Sequence, residues 1–167
     1  MDPNMKKTAL RMIPYGLFVL TSQTEQGKIS AASVNWVTQA SFEPPLVAVC
    51  VRRDSFIHEV ISESQVFALN VLGKEQAGLA FTFFKPAVRE GDTLSGQPFQ
   101  TGSTGAPLLE SCPAYVECRL VGSLAQGDHS VFLGQVVDAG VRAEITGRPD
   151  QATLLLMDLG EKLFYGG

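Results

Sequence analysis

Residues 35–41, Asn-Trp-Val-Thr-Gln-Ala-Ser, place polar groups where an ordinary core strand would carry mostly apolar ones. Strand alternation puts Asn35, Val37, Gln39 and Ser41 on one face, and Trp36, Thr38 and Ala40 on the other. Amides, hydroxyls and the chain's only indole, spaced this way, suit a planar heterocycle. Pro44-Pro45 then predicts a turn into the next strand. That strand ends in Arg52-Arg53-Asp54-Ser55, immediately ahead of a stretch with helical spacing. Two guanidinium groups, a hydroxyl and the free N–H groups of a helix start form an anion site. The plainer reading is that Ser55 caps the helix and the arginines are solvated.

Gly127-Asp128-His129 also has two readings. One is a hairpin turn with a half-exposed His beginning the next strand; the other is an imidazole belonging to a site. Lys85 follows Phe83-Phe84 and is positioned either to reach a phosphate or to be solvated, whereas Arg89 reads as a solvated loop charge. Cys50, Cys112 and Cys118 form no Cys-x-x-Cys pair, and His58 and His129 are far apart, so neither a disulfide framework nor a protein-held metal is expected. Cys50, inside an apolar run, is expected to be buried. Gly-x-Gly-x-x-Gly, Gly-x-Ser-x-Gly and Walker sequences are all missing, which argues against a Rossmann domain, a serine hydrolase and phosphoryl transfer.

The elements that must position these groups read as mainly β. Runs of β-branched and aromatic residues bounded by Gly, Pro, Ser or Asp predict strands over 16–22, 28–42, 46–52, 66–72, 114–124, 130–142 and 152–159. Hairpin turns are expected at 24–27 and 126–128. Helical spacing appears at 54–64 and 74–84, and more weakly at 6–12. Residues 85–107, rich in Gly, Pro, Ser, Thr and charge, read as one long surface loop. Strands in this number with a few short helices predict a closed or nearly closed antiparallel barrel in a single domain spanning 1–167.

A net charge of −4 with no Lys/Arg-rich run argues against nucleic acid or an anionic membrane as partner. No window approaches the roughly 20 apolar residues of a spanning helix, and no signal-like segment opens the sequence, so a cytoplasmic protein is expected. Apolar residues make up 45% and charged residues 18%, a balance that favours an oligomer whose interface covers the surplus.

Several motifs recur in a telling order. Ile13-Pro14-Tyr15-Gly16 comes first, then the 35–41 strand running into Pro44-Pro45-Leu46-Val47. Asp54-Ser55-Phe56-Ile57-His58, Phe67-Ala68-Leu69-Asn70-Val71-Leu72 and Gly127-Asp128-His129 with Phe132-Leu133-Gly134-Gln135-Val136 follow. Over about residues 10–143 the chain resembles the flavin-reductase family of FMN-binding split-barrel proteins. The resemblance implies a Greek-key-like antiparallel split barrel, a homodimer with flavin sites at or near the interface, and NAD(P)H:flavin oxidoreductase activity. FMN would be the cofactor and NAD(P)H a transient donor docking over it. Asn35, Trp36, Val37 and Thr38 would follow the ring and ribityl chain, with Ser41 nearby. Arg52 and Ser55 would serve the phosphate, and His129 would be the catalytic residue on the donor side; Lys85 joins the cofactor-binding set on its place after Phe83-Phe84 and not on the resemblance. A redox protein is the expected acceptor, and two other readings stay open: an FMN-carrying electron-transfer module reduced by a protein partner, without nicotinamide activity of its own, and a dimerising scaffold without cofactor. Residues 85–107 match no motif of the family and are expected to set donor and acceptor choice.

Overall fold

A computed structural model describes residues 1–166. Helix α1 (Pro3–Arg11) is capped by Asp2, whose carboxylate accepts from the Asn4 and Met5 N–H groups. Strands β1 (Phe18–Gln23) and β2 (Ile29–Val34) form the first expected hairpin. Its turn closes through Gly27 N–H to Thr24 O at 2.9 Å, with Gly27 at φ 85°, a conformation that favours glycine. Next come β3 (Val37–Ser41), β4 (Leu46–Arg52), helix α2 (Phe56–Ser64), β5 (Val66–Val71) and helix α3 (Ala77–Thr82). Four short strands follow: β6 (Arg89–Glu90), β7 (Thr93–Leu94), β8 (Gln97–Thr101) and β9 (Pro107–Leu109). The long strands β10 (Ala114–Ala125) and β11 (His129–Val141) make the second expected hairpin.

The main sheet is antiparallel, in the order β2-β1-β5-β10-β11-β4-β3. It is not a closed barrel, because β2 and β3 are its two edges and no ladder joins them. The single strand expected over 28–42 is therefore two. The chain breaks at Asn35 and Trp36, where Val37 N–H turns back to Asn35 O at 3.1 Å. Only two residues separate Val34 from Val37, so the sheet must curl until its edges lie within roughly 11 Å at this point. That curl is tertiary, and alternation along the chain does not report it.

Three other expectations need correction. Residues 85–107 are not a structureless loop: β6 to β9 form a small antiparallel sheet. Gly91 and Gly96 take positive φ at its turns, and buried Leu94 and Phe99 are enough to anchor it. Residues 152–159 are not a strand. They make isolated bridges at Thr153 and Leu155 and then a 3-10 turn, Leu156–Leu159, in which Asp158 accepts from Leu155 N–H. The third is Cys50, which is half-buried instead of enclosed.

The core has two main parts. One lies inside the curl, where Ile57 and Ile61 of α2 meet Leu20, Val49, Phe67, Leu69 and Phe132. Burying each such side chain contributes about 2 kcal/mol. Gly134 is required here, since any side chain would run into the Phe67 ring and Cys118. The other part joins Leu17, Val19 and Leu72 to Phe83 of the turn after α3, Leu94, Leu109 and Leu154. Among the described residues no helix is long and apolar enough to cross a membrane, and no cluster of His, Cys, Asp or Glu is arranged to hold a metal.

Candidate active site

The ladder between β4 and β11 sets Arg52 opposite His129, and Arg53 N–H donates to Asp128 O at 3.0 Å. On the other side of β4, Cys50 N–H donates to Trp36 O at 2.9 Å. Because β4 lies between β3 and β11, three segments distant in sequence meet where it ends. The Trp36 and His129 rings are 4.7 Å apart, inclined at 45°.

Two cavities adjoin at this point. The first, about 380 Å³, has mostly apolar walls that include Leu17, Phe83, Phe84 and Phe164, with Asn35, Cys50, Arg52 and Ser55 as its polar groups. The second, about 730 Å³, is broader and is lined by Trp36, Arg52, Arg53, Asp128, His129 and Tyr165. Arg52 and Tyr165 belong to both.

The electrostatics at the strand–helix junction are specific. Asp54 grips Arg52 with both oxygens, at 2.9 and 2.5 Å, and this bond holds its carboxyl below the ordinary carboxylate value. The Ser55 hydroxyl donates to Arg52 O at 2.6 Å, and no side chain caps α2. Ser55 is thus not the cap of the plainer reading, and the first N–H groups of the helix are left without a side-chain acceptor. At the other rim, His129 Nδ1 lies 2.9 Å from Asp128 Oδ1, a contact that lowers the Asp128 pKa. His129 Nε2 lies 2.8 Å from the Tyr165 hydroxyl, whose pKa burial raises. Trp36 Nε1 is buried with no hydrogen-bond partner.

Of the residues singled out in the sequence, Asn35, Trp36, Arg52, Ser55 and His129 are brought around the two cavities. Val37 packs against the inner core. Thr38 is exposed and donates to Gln39 O, and neither it nor half-buried Ser41 lines either cavity. Lys85 is exposed just beyond Phe84 and lines neither. Sequence reasoning missed Ser33, Cys50 and above all residues 163–165. Their one local signal is the adjacent aromatic pair Phe164-Tyr165 in a stretch with no periodicity.

Comparison with known proteins gives the family. The model of the flavin reductase like domain matches residues 10–162. A flavin reductase from Pseudomonas putida is 31% identical over 143 residues, covering 86% of this chain and 82% of that one. A ferric-chelate reductase (NAD(P)H) from Archaeoglobus fulgidus is 32% identical over 141 residues, covering 82% of each. Some relatives are much longer: the chain spans 24% of diflavin flavoprotein A 1 from Synechocystis sp.. Among solved structures, the NADH:FAD oxidoreductase SgcE6 of Streptomyces globisporus, in complex with NAD and FAD fragments, superposes with a TM-score of 0.77 at 26% identity. The match covers 99% of this chain and 96% of that one. With its edge-to-edge curl, its junction of strand and helix and a family match over nearly its whole length, the chain belongs to the flavin reductase like family.

Proposed function

We propose that the chain is an NAD(P)H:flavin oxidoreductase that holds FMN between Trp36 and the start of α2. The observation that carries this reading is an apolar cavity that opens onto Arg52 and an uncapped helix start and adjoins a second cavity walled by Trp36, whose Nε1 is buried and unpartnered. A buried donor left unpaired costs about 1–3 kcal/mol, so the site calls for an acceptor on an otherwise apolar body. A flavin ring with its carbonyls and phosphate tail fits that description, and the first cavity falls within the roughly 300–1,000 Å³ range of cofactor pockets. Bound flavin would supply hydride acceptance from a nicotinamide and onward transfer of electrons.

The chain's own residues would do the rest. Asn35 and Trp36, continued by Val37, Thr38 and Ser41 along β3, would orient the ring and ribityl chain. Arg52, Ser55 and the first N–H groups of α2 would take the phosphate, with Lys85 adding charge from outside. A single anion site of this kind favours FMN over FAD. With Nδ1–H directed at Asp128, His129 turns Nε2 to the Tyr165 hydroxyl at the wall of the second cavity, where a ligand group replacing that hydroxyl would meet it. It is the group placed to contact a nicotinamide donor or to answer charge developing on the ring. Exposed Val121, Leu124, Val137 and Val141 on the β10–β11 hairpin support a homodimer. A cytoplasmic setting and a redox-protein acceptor complete the reading.

The test is anaerobic spectroscopy. Purified protein with FMN should bleach at a catalytic rate on adding NADH or NADPH. A yellow protein that ignores both donors would overturn the reductase and leave the electron-transfer module, the reading favoured by the match to a longer diflavin flavoprotein.

A further inference from the structure

Residues 163–166 form neither helix nor strand, yet they are pinned across the site. The Tyr165 hydroxyl meets His129 Nε2 at 2.8 Å, and its ring stands edge-on to Trp36 at 5.4 Å. Asn35 Nδ2 donates to Tyr165 O at 3.4 Å. Gly166 lies so close to the indole that a Cβ there would stand 3.3 Å from Trp36 Cζ2. From outside the cavities, Arg11 Nε donates to Gly166 O at 3.3 Å, and its guanidinium sits 4.3 Å over the Phe164 ring. Leu163 packs against the core, whereas Phe164 and Tyr165 remain 50% and 43% exposed, so residues 164–166 can lift away about Leu163 without opening the core.

Tyr165 therefore engages Asn35, Trp36 and His129 together, and it walls both cavities. A phenol and a nucleotide ring ask the same of these groups: an aromatic surface to lie against and a hydrogen-bond partner at the imidazole. We propose that residues 164–166 are a strap in which Tyr165 holds the place of a nucleotide ring, and that flavin enters by displacing it, joining the two cavities into one cleft. The proposal rests on the flavin-binding reading and adds a competition to it. Observed affinity is the intrinsic affinity reduced by the fraction of molecules with the strap closed. One half-exposed hydrogen bond and one aromatic pair favour the closed form by about tenfold.

The full chain, its Tyr165→Ala variant and its Arg11→Ala variant are titrated with FMN, following both flavin fluorescence and the emission of Trp36, the only tryptophan. Arg11 lines neither cavity, so its removal acts on the cleft only by loosening the strap. The dissociation constant should fall by about tenfold in Tyr165→Ala and by about threefold in Arg11→Ala. Affinity that is unchanged or weaker in both variants, with FMN still bound, overturns the strap alone. Failure of all three folded proteins to bind FMN overturns the flavin reading and the strap with it.

Discussion

Arg52 is the cation that the proposed phosphate site shares with a neighbouring acid, since both oxygens of Asp54 hold its guanidinium. Asp54→Asn keeps the side chain's size, removes its charge and frees the guanidinium fork. The two side chains are 57% and 69% exposed, so their attraction is felt through near-bulk water and screened over about 8 Å at physiological ionic strength. Exposed pairs of this kind shift equilibria by up to about fivefold. Relief of the repulsion between the carboxylate and an incoming phosphate adds a further, similarly screened gain. FMN affinity should therefore rise roughly five- to tenfold in Asp54→Asn at 0.15 M salt. Riboflavin, which has the same ring and no phosphate, should bind as before to within about twofold. At 1 M salt, where screening acts over about 3 Å, most of the gain should vanish. The same pair also responds to acid. Arg52 lowers the Asp54 pKa below 3.8, so the pair's contribution is complete above that value and is lost as the pH falls through the depressed one. Calorimetric titration of both ligands against both proteins makes the measurement. Equal gains for FMN and riboflavin, or weaker FMN binding, would refute placing the phosphate at Arg52.

Two further outcomes follow from buried groups. Asn70 is fully buried, donating to Val19 O and Thr21 Oγ1 and accepting from Leu109 N–H, so it ties β9 to the main sheet. Asn70→Ala should cost about 3 kcal/mol and lower Tm by roughly 6–12 °C; a melt displaced by less than 3 °C would contradict that accounting. In the native protein Cys50 should be the thiol that iodoacetamide reaches, slowly because burial raises its pKa, and FMN should protect it. Cys112 and Cys118, pushed up to about 12 by burial, should label only on unfolding, and peptide mapping that finds either of them first would count against the cavity's position.

The hairpin turns were legible because their signals are local. Gly27 and the Gly127-Asp128 pair sit between runs of alternating residues, and both hairpins form there. The residues of the proposed anion junction could be read together for the same reason: the arginines, Ser55 and the amphipathic helix are contiguous. The break at Asn35 and Trp36 was not, because both residues satisfy alternation equally well whether the strand continues or crosses to the far edge. The small sheet over 89–109 escaped notice because only Leu94 and Phe99 are buried across its first three strands and glycine turns join them, too little to raise the apolar signal of that stretch. Tyr165 was hidden more deeply. Its partners Asn35, Trp36 and His129 lie 130, 129 and 36 positions away, and no spacing along one chain encodes such a meeting.

The open seam between β2 and β3 would tie flavin capture at the proposed site to the motion of the whole wall. Its two margins are bridged covalently only by Asn35 and Trp36, and Trp36 O is tied to Cys50 N–H of β4, so any yawning of the sheet would pull the β2 margin away from the indole, imidazole and guanidinium that β4 keeps together. A molecule wedged there would act as a rivet across the margin, and amide exchange along both free edges would slow in step with occupancy.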